Sequence, residues 1–481
     1  MKDKYKITIG LEIHVELKTR SKMFCGCINS VDDVKEGENK PANVYTCPIC
    51  MGHPGTLPVI NKEAVKKVLL VGTALGSEIA DFTEFDRKNY FYPDIPKGYQ
   101  ISQYKHPLVR HGKLNGVEIT RIHLEEDTAR STHDTPGASL VDYNRAGVPL
   151  MELVTEPVIH SSSEAVGFAK ELQLLLQYLG VSDANMEKGE MRVEVNFSVS
   201  PSSALGTKVE IKNINSFRAV GKAIDYEFER QTALLEKGEV VVQETCGWDE
   251  NKEVTFSQRL KESAHDYRYF EDPDLPKIMI SEIPEFSLLE LKKLMVELPE
   301  EKRKRYLTSF NLKPEDIEIY VVNREAGKFF ETVAEGVFTL GLDPVRTASN
   351  YITSDIMGLS KTKGLDFTTG QIRTEDLVKL VTMIHNGDLS SRGAKDILKI
   401  VFDIGSDPEK IANEKGLIQK SNAEEIKLIA EKIISDNPKV VEEYRNGKDS
   451  LLQFFIGQGM KEMKGAGNPE LLKKTLLGLL R

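Results

Sequence analysis

Lys6-Ile7-Thr8-Ile9-Gly10-Leu11-Glu12-Ile13-His14-Val15-Glu16-Leu17-Lys18 alternates without a break. Ile7, Ile9, Leu11, Ile13, Val15 and Leu17 take one face; Thr8, Gly10, Glu12, His14 and Glu16 take the other. A period of two means a strand with one buried face. Two further stretches repeat the pattern. In residues 191–199, Arg192, Glu194 and Asn196 oppose Val193, Val195 and Phe197. In residues 207–211, Lys208 and Glu210 oppose Val209 and Ile211. Helical signals lie between and after these strands. Ser161-Ser162-Ser163-Glu164 fits a capping box before an apolar-periodic run that stops at Gly180. Ser216 is placed to cap a second helix ending near Gly238. The first part of the chain is therefore α+β, an antiparallel or mixed sheet with helices on one side.

The composition shifts near residue 290. Eight of the nine histidines, all five cysteines, the one tryptophan and fourteen of the twenty prolines precede it. Residues 294–481 read as helices rich in Leu, Lys and Glu. A further break falls at Gly405-Ser406-Asp407-Pro408. The expected division is a catalytic cradle, 1–293, a helical domain, 294–407, and a small helical tail, 408–481. The tail is interrupted at Gly457-Gln458-Gly459 and Gly465-Ala466-Gly467, and has a basic end (Lys461, Lys464, Lys473, Lys474, Arg481). The formal net charge of −10 excludes a general nucleic-acid coat, because such a surface must neutralise phosphates. Nearly all of that acidity belongs to residues 1–293, so one structured RNA gripped at a few places remains compatible with it. No stretch approaches the roughly 18 apolar residues of a membrane span, and Met1-Lys2-Asp3 opens no apolar leader. The expectation is a cytoplasmic protein with no membrane partner.

Four groupings carry chemistry. Cys25 and Cys27, with Cys47 and Cys50, are two close thiol pairs 19 residues apart, the arrangement of a closed structural Zn²⁺ knuckle over residues 25–50 that pins a loop between two strands. Four separate buried thiols are the plain alternative. Glu12 and His14 project from one strand face. With Glu125, Glu126, Glu152 and Glu210 they are candidate ligands for Mg²⁺ or Mn²⁺, provided the segments converge. A solvated strand face is the plain alternative, and Glu16 can simply face water. In residues 85–104, Arg87, Lys88, Tyr90, Tyr92, Lys97 and Tyr99 interleave aromatics with cations, a pattern able to stack on unpaired bases; an ordinary tyrosine-rich loop fits equally. Finally, Lys208, Asn213 and Ser216 surround a strand end and a helix start, a reasonable phosphate site or a plain cap. No P-loop, nucleophile elbow or H-E-x-x-H motif is present.

Ile9-Gly10-Leu11-Glu12-Ile13-His14-Val15-Glu16-Leu17, His123-Leu124-Glu125-Glu126-Asp127, Asp142-Tyr143-Asn144-Arg145-Ala146-Gly147-Val148-Pro149-Leu150-Met151-Glu152, Lys212-Asn213-Ile214-Asn215-Ser216-Phe217 and Asp266-Tyr267-Arg268-Tyr269-Phe270-Glu271-Asp272-Pro273 together resemble the B subunit of the bacterial aspartyl/glutamyl-tRNA(Asn/Gln) amidotransferases. The resemblance runs almost end to end. It implies a heterotrimer in which an amidase-type glutaminase subunit releases ammonia from glutamine into a channel, and a small third subunit braces the pair. It implies ATP-dependent phosphorylation of the side-chain carboxylate of Glu-tRNA(Gln) or Asp-tRNA(Asn), then amidation. It further implies a kinase-like cradle and a helical middle and YqeY-like tail that hold the tRNA. Glu12, His14, Glu126 and Glu152 match family metal and catalytic positions, with Glu125 and Glu210 next. The competing expectation is a zinc-containing tRNA-binding scaffold without chemistry of its own.

Overall fold

The computed structural model describes residues 4–29, 41–135, 137–260, 267–365, 367–419, 423–463 and 469–480. Met1, Lys2, Asp3, Asp266, Lys464, Gly465, Ala466, Gly467 and Arg481, invoked above, lie outside the described residues. The chain forms two compact units, Met1–Leu298 and Pro299–Arg481.

In the first unit the strands run, in chain order, β1 (Lys6–Glu16), β2 (Glu78–Ile79), β3 (Phe82–Thr83), β4 (Asp86–Asn89), β5 (Tyr99–Ser102), β6 (Val109–Arg110), β7 (Lys113–Leu114), β8 (Val117–Glu126), β9 (Arg130–Thr135), β10 (Ala138–Asp142), β11 (Pro149–Thr155), β12 (Met191–Ser200), β13 (Val209–Lys212), β14 (Glu244–Asp249), β15 (Val254–Leu260), β16 (Phe270–Glu271) and β17 (Ile278–Met279). The helices are α1 (Lys62–Ala74), α2 (Ser162–Tyr178), α3 (Phe217–Glu236) and α4 (Leu288–Lys293). The large sheet has the order β15-β14-β13-β12-β1-β11-β8-β6-β2, with β7 also on β8. Its pairs are antiparallel except β13 with β14, so it is mixed. A three-stranded sheet, β16-β4-β5, stands apart.

β1 is central, and its alternation sets the layers. Ile9, Leu11, Ile13 and Val15 are fully buried in one core with Val68 and Leu69 of α1, Phe168 and Leu172 of α2, and Val220 and Ile224 of α3. The polar residues of β1 are thereby left to the opposite face. Both expected caps form: Ser161 Oγ accepts the Glu164 N–H at 3.2 Å and Ser216 Oγ that of Ala219 at 3.1 Å. The Glu164 carboxylate takes the N–H of His160, one residue before the cap. The cysteine segment differs from expectation in one respect: the regular element after it is α1, so it links a strand to a helix.

The second unit is helical. It comprises α5 (Pro299–Phe310), α6 (Pro314–Val322), α7 (Arg324–Val337), α8 (Leu342–Asn350), α9 (Met357–Thr362), α10 (Thr374–His385), α11 (Ser391–Ile404), α12 (Pro408–Glu414), α13 (Ala423–Asp436), α14 (Pro438–Arg445), α15 (Leu452–Glu462) and α16 (Pro469–Leu480). Tyr306, Tyr320 and Phe330 form an aromatic core, the last two stacked 4.5 Å apart. The break near Pro408 is a turn: Gly405 ends α11 with φ +64°, and Asp407 caps α12. α12 packs on α10 and α11, whereas α13, α15 and α16 share a separate cluster around Ile426, Phe455 and Leu472. No helix among the described residues is long and apolar enough to cross a membrane.

Glu331 anchors the start of this unit, accepting from Tyr306 Oη at 3.0 Å and from Arg305, with Lys302 Nζ at 3.4 Å. Burial would raise its pKa, but Arg305, Lys302 and Tyr306 hold it below the usual carboxylate value. A depressed carboxylate stabilises the fold above its unfolded pKa and loses that contribution as pH falls through the folded one. Glu331→Gln should therefore cost about 1–3 kcal/mol at neutral pH, with the difference from wild type vanishing in acid. Urea unfolding at both pH values checks this; an equal cost at both contradicts it.

Candidate functional site: an acid–imidazole face

β1, its neighbours β11 and β12, and the next strands out, β8 and β13, build the site. Register places His14 opposite Arg192 of β12 and opposite Glu152 of β11, and Glu152 opposite His123 of β8. One row across the sheet therefore reads Arg192, His14, Glu152, His123. Glu12 and Glu194 form the adjoining row.

His14 Nε2 lies 3.4 Å from Glu152 Oε2, 3.8 Å from Glu125 Oε1 and 3.9 Å from Glu12 Oε1. His123 Nε2 lies 3.3 Å from Glu152 Oε2, while its buried Nδ1 finds no hydrogen-bond partner among the described residues. Three sets bring their ligand atoms within 4.8 Å of one another: Glu12–His14–Glu152, His123–Glu125–Glu152 and Glu12–Glu194–Glu210. Lys212 Nζ sits 2.7 Å from Glu194 Oε2 and 3.8 Å from Glu210 Oε1. Thr245 Oγ1 donates to Glu210 at 2.9 Å, and Ser102 Oγ to Glu125 at 3.1 Å.

So many carboxylates in one half-buried face perturb each other. Burial, then the charges of Glu152 and Glu194, push Glu12 up to about 7. Burial would lower His14, but the hydrogen bond and charge of Glu152, with Glu194 and Glu125, carry it up to about 9. Burial would raise Glu152, yet the imidazoles of His123 and His14 hold it well below the ordinary range. A proton shared among crowded acids is what a hard cation replaces, so these oxygens and imidazoles fit Mg²⁺ or Mn²⁺.

The structure brings Glu12, His14, Glu125, Glu152 and Glu210 together, but not Glu126. Glu125 and Glu126 are neighbours on β8 and so point to opposite faces. Glu126 Oε1 accepts the Ile101 N–H at 2.9 Å, and its carboxylate pairs with Lys97 Nζ at 2.5 Å. Glu16 does not simply face water: burial and Asp127 push it up to about 8. His123 and Glu194 are the members that spacing missed.

The other groupings fare differently. Cys25, Cys27, Cys47 and Cys50 converge, their sulfurs within 4.8 Å, with Cys47 and Cys50 Sγ 3.9 Å apart. Zn–S bonds of about 2.3 Å require tetrahedral edges of about 3.8 Å, so the four can hold a metal ion. A hydrogen bond from Cys25 pulls Cys50 down to about 4, against its burial, with help from the Cys47 N–H and Lys22. Cys246 is buried and apart.

Lys208 precedes β13 and Asn213 follows it, with φ +59°. Ser216 Oγ is engaged as a cap.

In residues 85–104, the prolines and Gly98 shape the β4–β5 hairpin. Arg87 pairs with Asp272 at 2.8 Å and Asp274 at 2.9 Å and lies over Tyr99. Lys88 Nζ lies over the rings of both Tyr90 and Tyr267, which meet edge to face. Tyr90 Oη donates to Gln100, and Tyr92 is 53% exposed. Arg87 and Lys97 thus spend their charge on carboxylates, and Phe91, Tyr92 and Tyr104 are the exposed rings of the stretch.

Sheet, face and helical second unit define an α+β protein with a carboxylate–imidazole centre on its central strands. Residues 7–284 match the family model described as GatB/GatE catalytic domain, and residues 328–480 one described as GatB domain. Curated relatives named as the B subunit of aspartyl/glutamyl-tRNA(Asn/Gln) amidotransferase include those of Thermoanaerobacter sp. (strain X514), 44% identical over 98% of each chain, and Carboxydothermus hydrogenoformans, 42% identical over 98% of each. The chain belongs to this family of amidotransferase B subunits.

Proposed function

We propose that this chain is the synthetic subunit of a glutamine-hydrolysing, tRNA-dependent amidotransferase of translation, an ATP-using carbon–nitrogen ligase. It acts in a cytoplasmic heterotrimer with an ammonia-supplying amidase (glutaminase) partner and a small third chain. The observation that carries this is the convergence of Glu12, His14, Glu125, Glu152, Glu194 and Glu210 on one sheet face, beside which a scaffold role leaves the acids without a purpose. The side-chain carboxylate of Glu-tRNA(Gln) or Asp-tRNA(Asn) attacks the γ-phosphorus of ATP, forming an acyl phosphate and ADP. Ammonia channelled from the glutaminase then displaces phosphate, leaving the amide. Glu12, His14 and Glu152, with Glu125 and Glu210, hold Mg²⁺ or Mn²⁺. That cation offsets charge on the phosphates and on the incoming carboxylate. No strong base is required, because a carboxylate is already ionised. The cysteine cluster holds a structural Zn²⁺. Tyr92 and Phe91 face the acceptor end of the tRNA, and the module beyond residue 408, with Lys461, Lys473 and Lys474, holds its body.

Crystals soaked in Mn²⁺ should show anomalous density between Glu12, His14 and Glu152. Absence of metal there, with Mn²⁺ bound elsewhere, favours the scaffold.

A further inference from the structure

The row Arg192–His14–Glu152–His123 has a cationic end. Arg192 Nη2 lies 3.0 Å from Asp127 Oδ1. Arg145 forms an ion pair with the same carboxylate, Nε to Oδ2 at 3.3 Å, while its Nε–H donates to the Thr128 carbonyl at 3.1 Å. The Asp127 side chain is 1% exposed, and its Oδ1 additionally accepts the Thr128 N–H at 2.8 Å. Asp127 thus meets both guanidiniums, but it does not exhaust them, because each carries five donors. Arg192 Nε is buried and has no hydrogen-bond partner among the described residues. About a third of each arginine side chain remains open to solvent, 37% for Arg192 and 32% for Arg145.

We propose that Arg192 and Arg145 form an oxyanion-binding fork, positioned by Asp127, that takes a phosphoryl or carboxylate group of a substrate lying against the acid–imidazole face. The inference rests on the reading of that face as the cation-holding site. Guanidinium geometry matches a two-oxygen anion, and neighbouring strands are about 4.8 Å apart. One anion can therefore touch Arg192 with one oxygen and present another toward the His14–Glu152 side. The occupant is either a phosphate of ATP or the side-chain carboxylate of the aminoacyl group. Register puts Arg192 beside His14, and a positive group inside a carboxylate-dense face favours anionic substrates that the acids alone would repel.

The test uses the complete complex carrying Arg192→Lys, Arg192→Gln or Arg145→Lys. Lysine keeps a charge against Asp127 but loses the fork. KM for ATP at saturating aminoacyl-tRNA, KM for aminoacyl-tRNA at saturating ATP, kcat, melting temperature and glutamine hydrolysis are measured. The expected result for Arg192→Lys is an unchanged melting temperature and glutaminase rate, with one KM raised about 10- to 100-fold. A rise for ATP identifies a phosphate as the occupant, and a rise for aminoacyl-tRNA identifies the carboxylate. Lower kcat at unchanged melting temperature also supports the fork, as a contact made only in the transition state. Wild-type kinetics in Arg192→Lys with loss only in Arg192→Gln shows a purely structural ion pair and overturns the proposal. His14→Ala separates the two readings: if it is inactive while Arg192→Lys is unimpaired, only the fork fails; if it is fully active, the site reading itself fails.

Discussion

His14→Ala should abolish ATP-dependent transamidation while leaving glutamine hydrolysis by the complex intact. His14 lies within 4 Å of Glu12, Glu125 and Glu152 at once. Removing it takes a ligand from the proposed cation site and leaves three crowded carboxylates to repel one another. If the cation supplies several kcal/mol of charge stabilisation, the loss is about a thousandfold or more. Glu126→Gln is the informative contrast. Its carboxylate holds Lys97 and the Ile101 N–H on the other side of β8, so it should lower stability without changing Mn²⁺ affinity. Mn²⁺ titration of the variants, with transamidation and glutaminase rates measured side by side, decides the matter. Full transamidation in His14→Ala rejects the site.

Stripping metal from the cysteine cluster, or replacing Cys50 by serine, should have the second large effect, on stability. Among the described residues between β1 and α1, pairing is limited to a single bridge, Ser21 with Ile28. Backbone bonds tie its ends, Met23 N–H to the Gly147 carbonyl at 2.7 Å and Val59 N–H to the Phe24 carbonyl at 2.9 Å, and side chains hold the stretch around the thiols. Cys50 Sγ lies 3.8 Å from the fully buried Lys22 ammonium, which also donates to the Tyr143 carbonyl at 3.2 Å. Asn144 Oδ1 accepts from Val44 and Tyr45, both at 2.8 Å. Loss of the metal leaves thiols crowded against a buried cation. It should cost several kcal/mol, since a metal bound only by the folded segment contributes its binding energy to folding. Elemental analysis should find one zinc per chain. Chelated protein should melt earlier and be cleaved between Cys27 and α1; an unchanged melting temperature and protease pattern would show that the cluster bears no structural metal.

Much of this architecture could be read from residue order. The alternation in β1 placed Ile9, Leu11, Ile13 and Val15 in the core and set Glu12 and His14 on the other face, because a strand's side chains must alternate. Ser161 and Ser216 marked their helices, because a helix start needs an acceptor for its free N–H groups. The paired cysteines announced their convergence, because so few residues separate the members of each pair.

Which segments meet across the sheet was not legible. Arg192, Glu194 and Asn196 showed a polar strand face, but only the pairing of β12 beside β1 put Glu194 next to Glu12 and Arg192 next to His14. Likewise, Glu125 and Glu126 are equivalent as letters, and one step of register on β8 sends the first to His14 and the second to Lys97. Arg87 and Lys97 looked like free cations until Asp272, Asp274 and Glu126 were brought to them from distant parts of the chain. Local spacing fixes periodicity and caps because those forces act over a few residues. Strand order and register emerge from burying all the apolar faces at once, so the tertiary structure alone decided which acids, imidazoles and guanidiniums share a site.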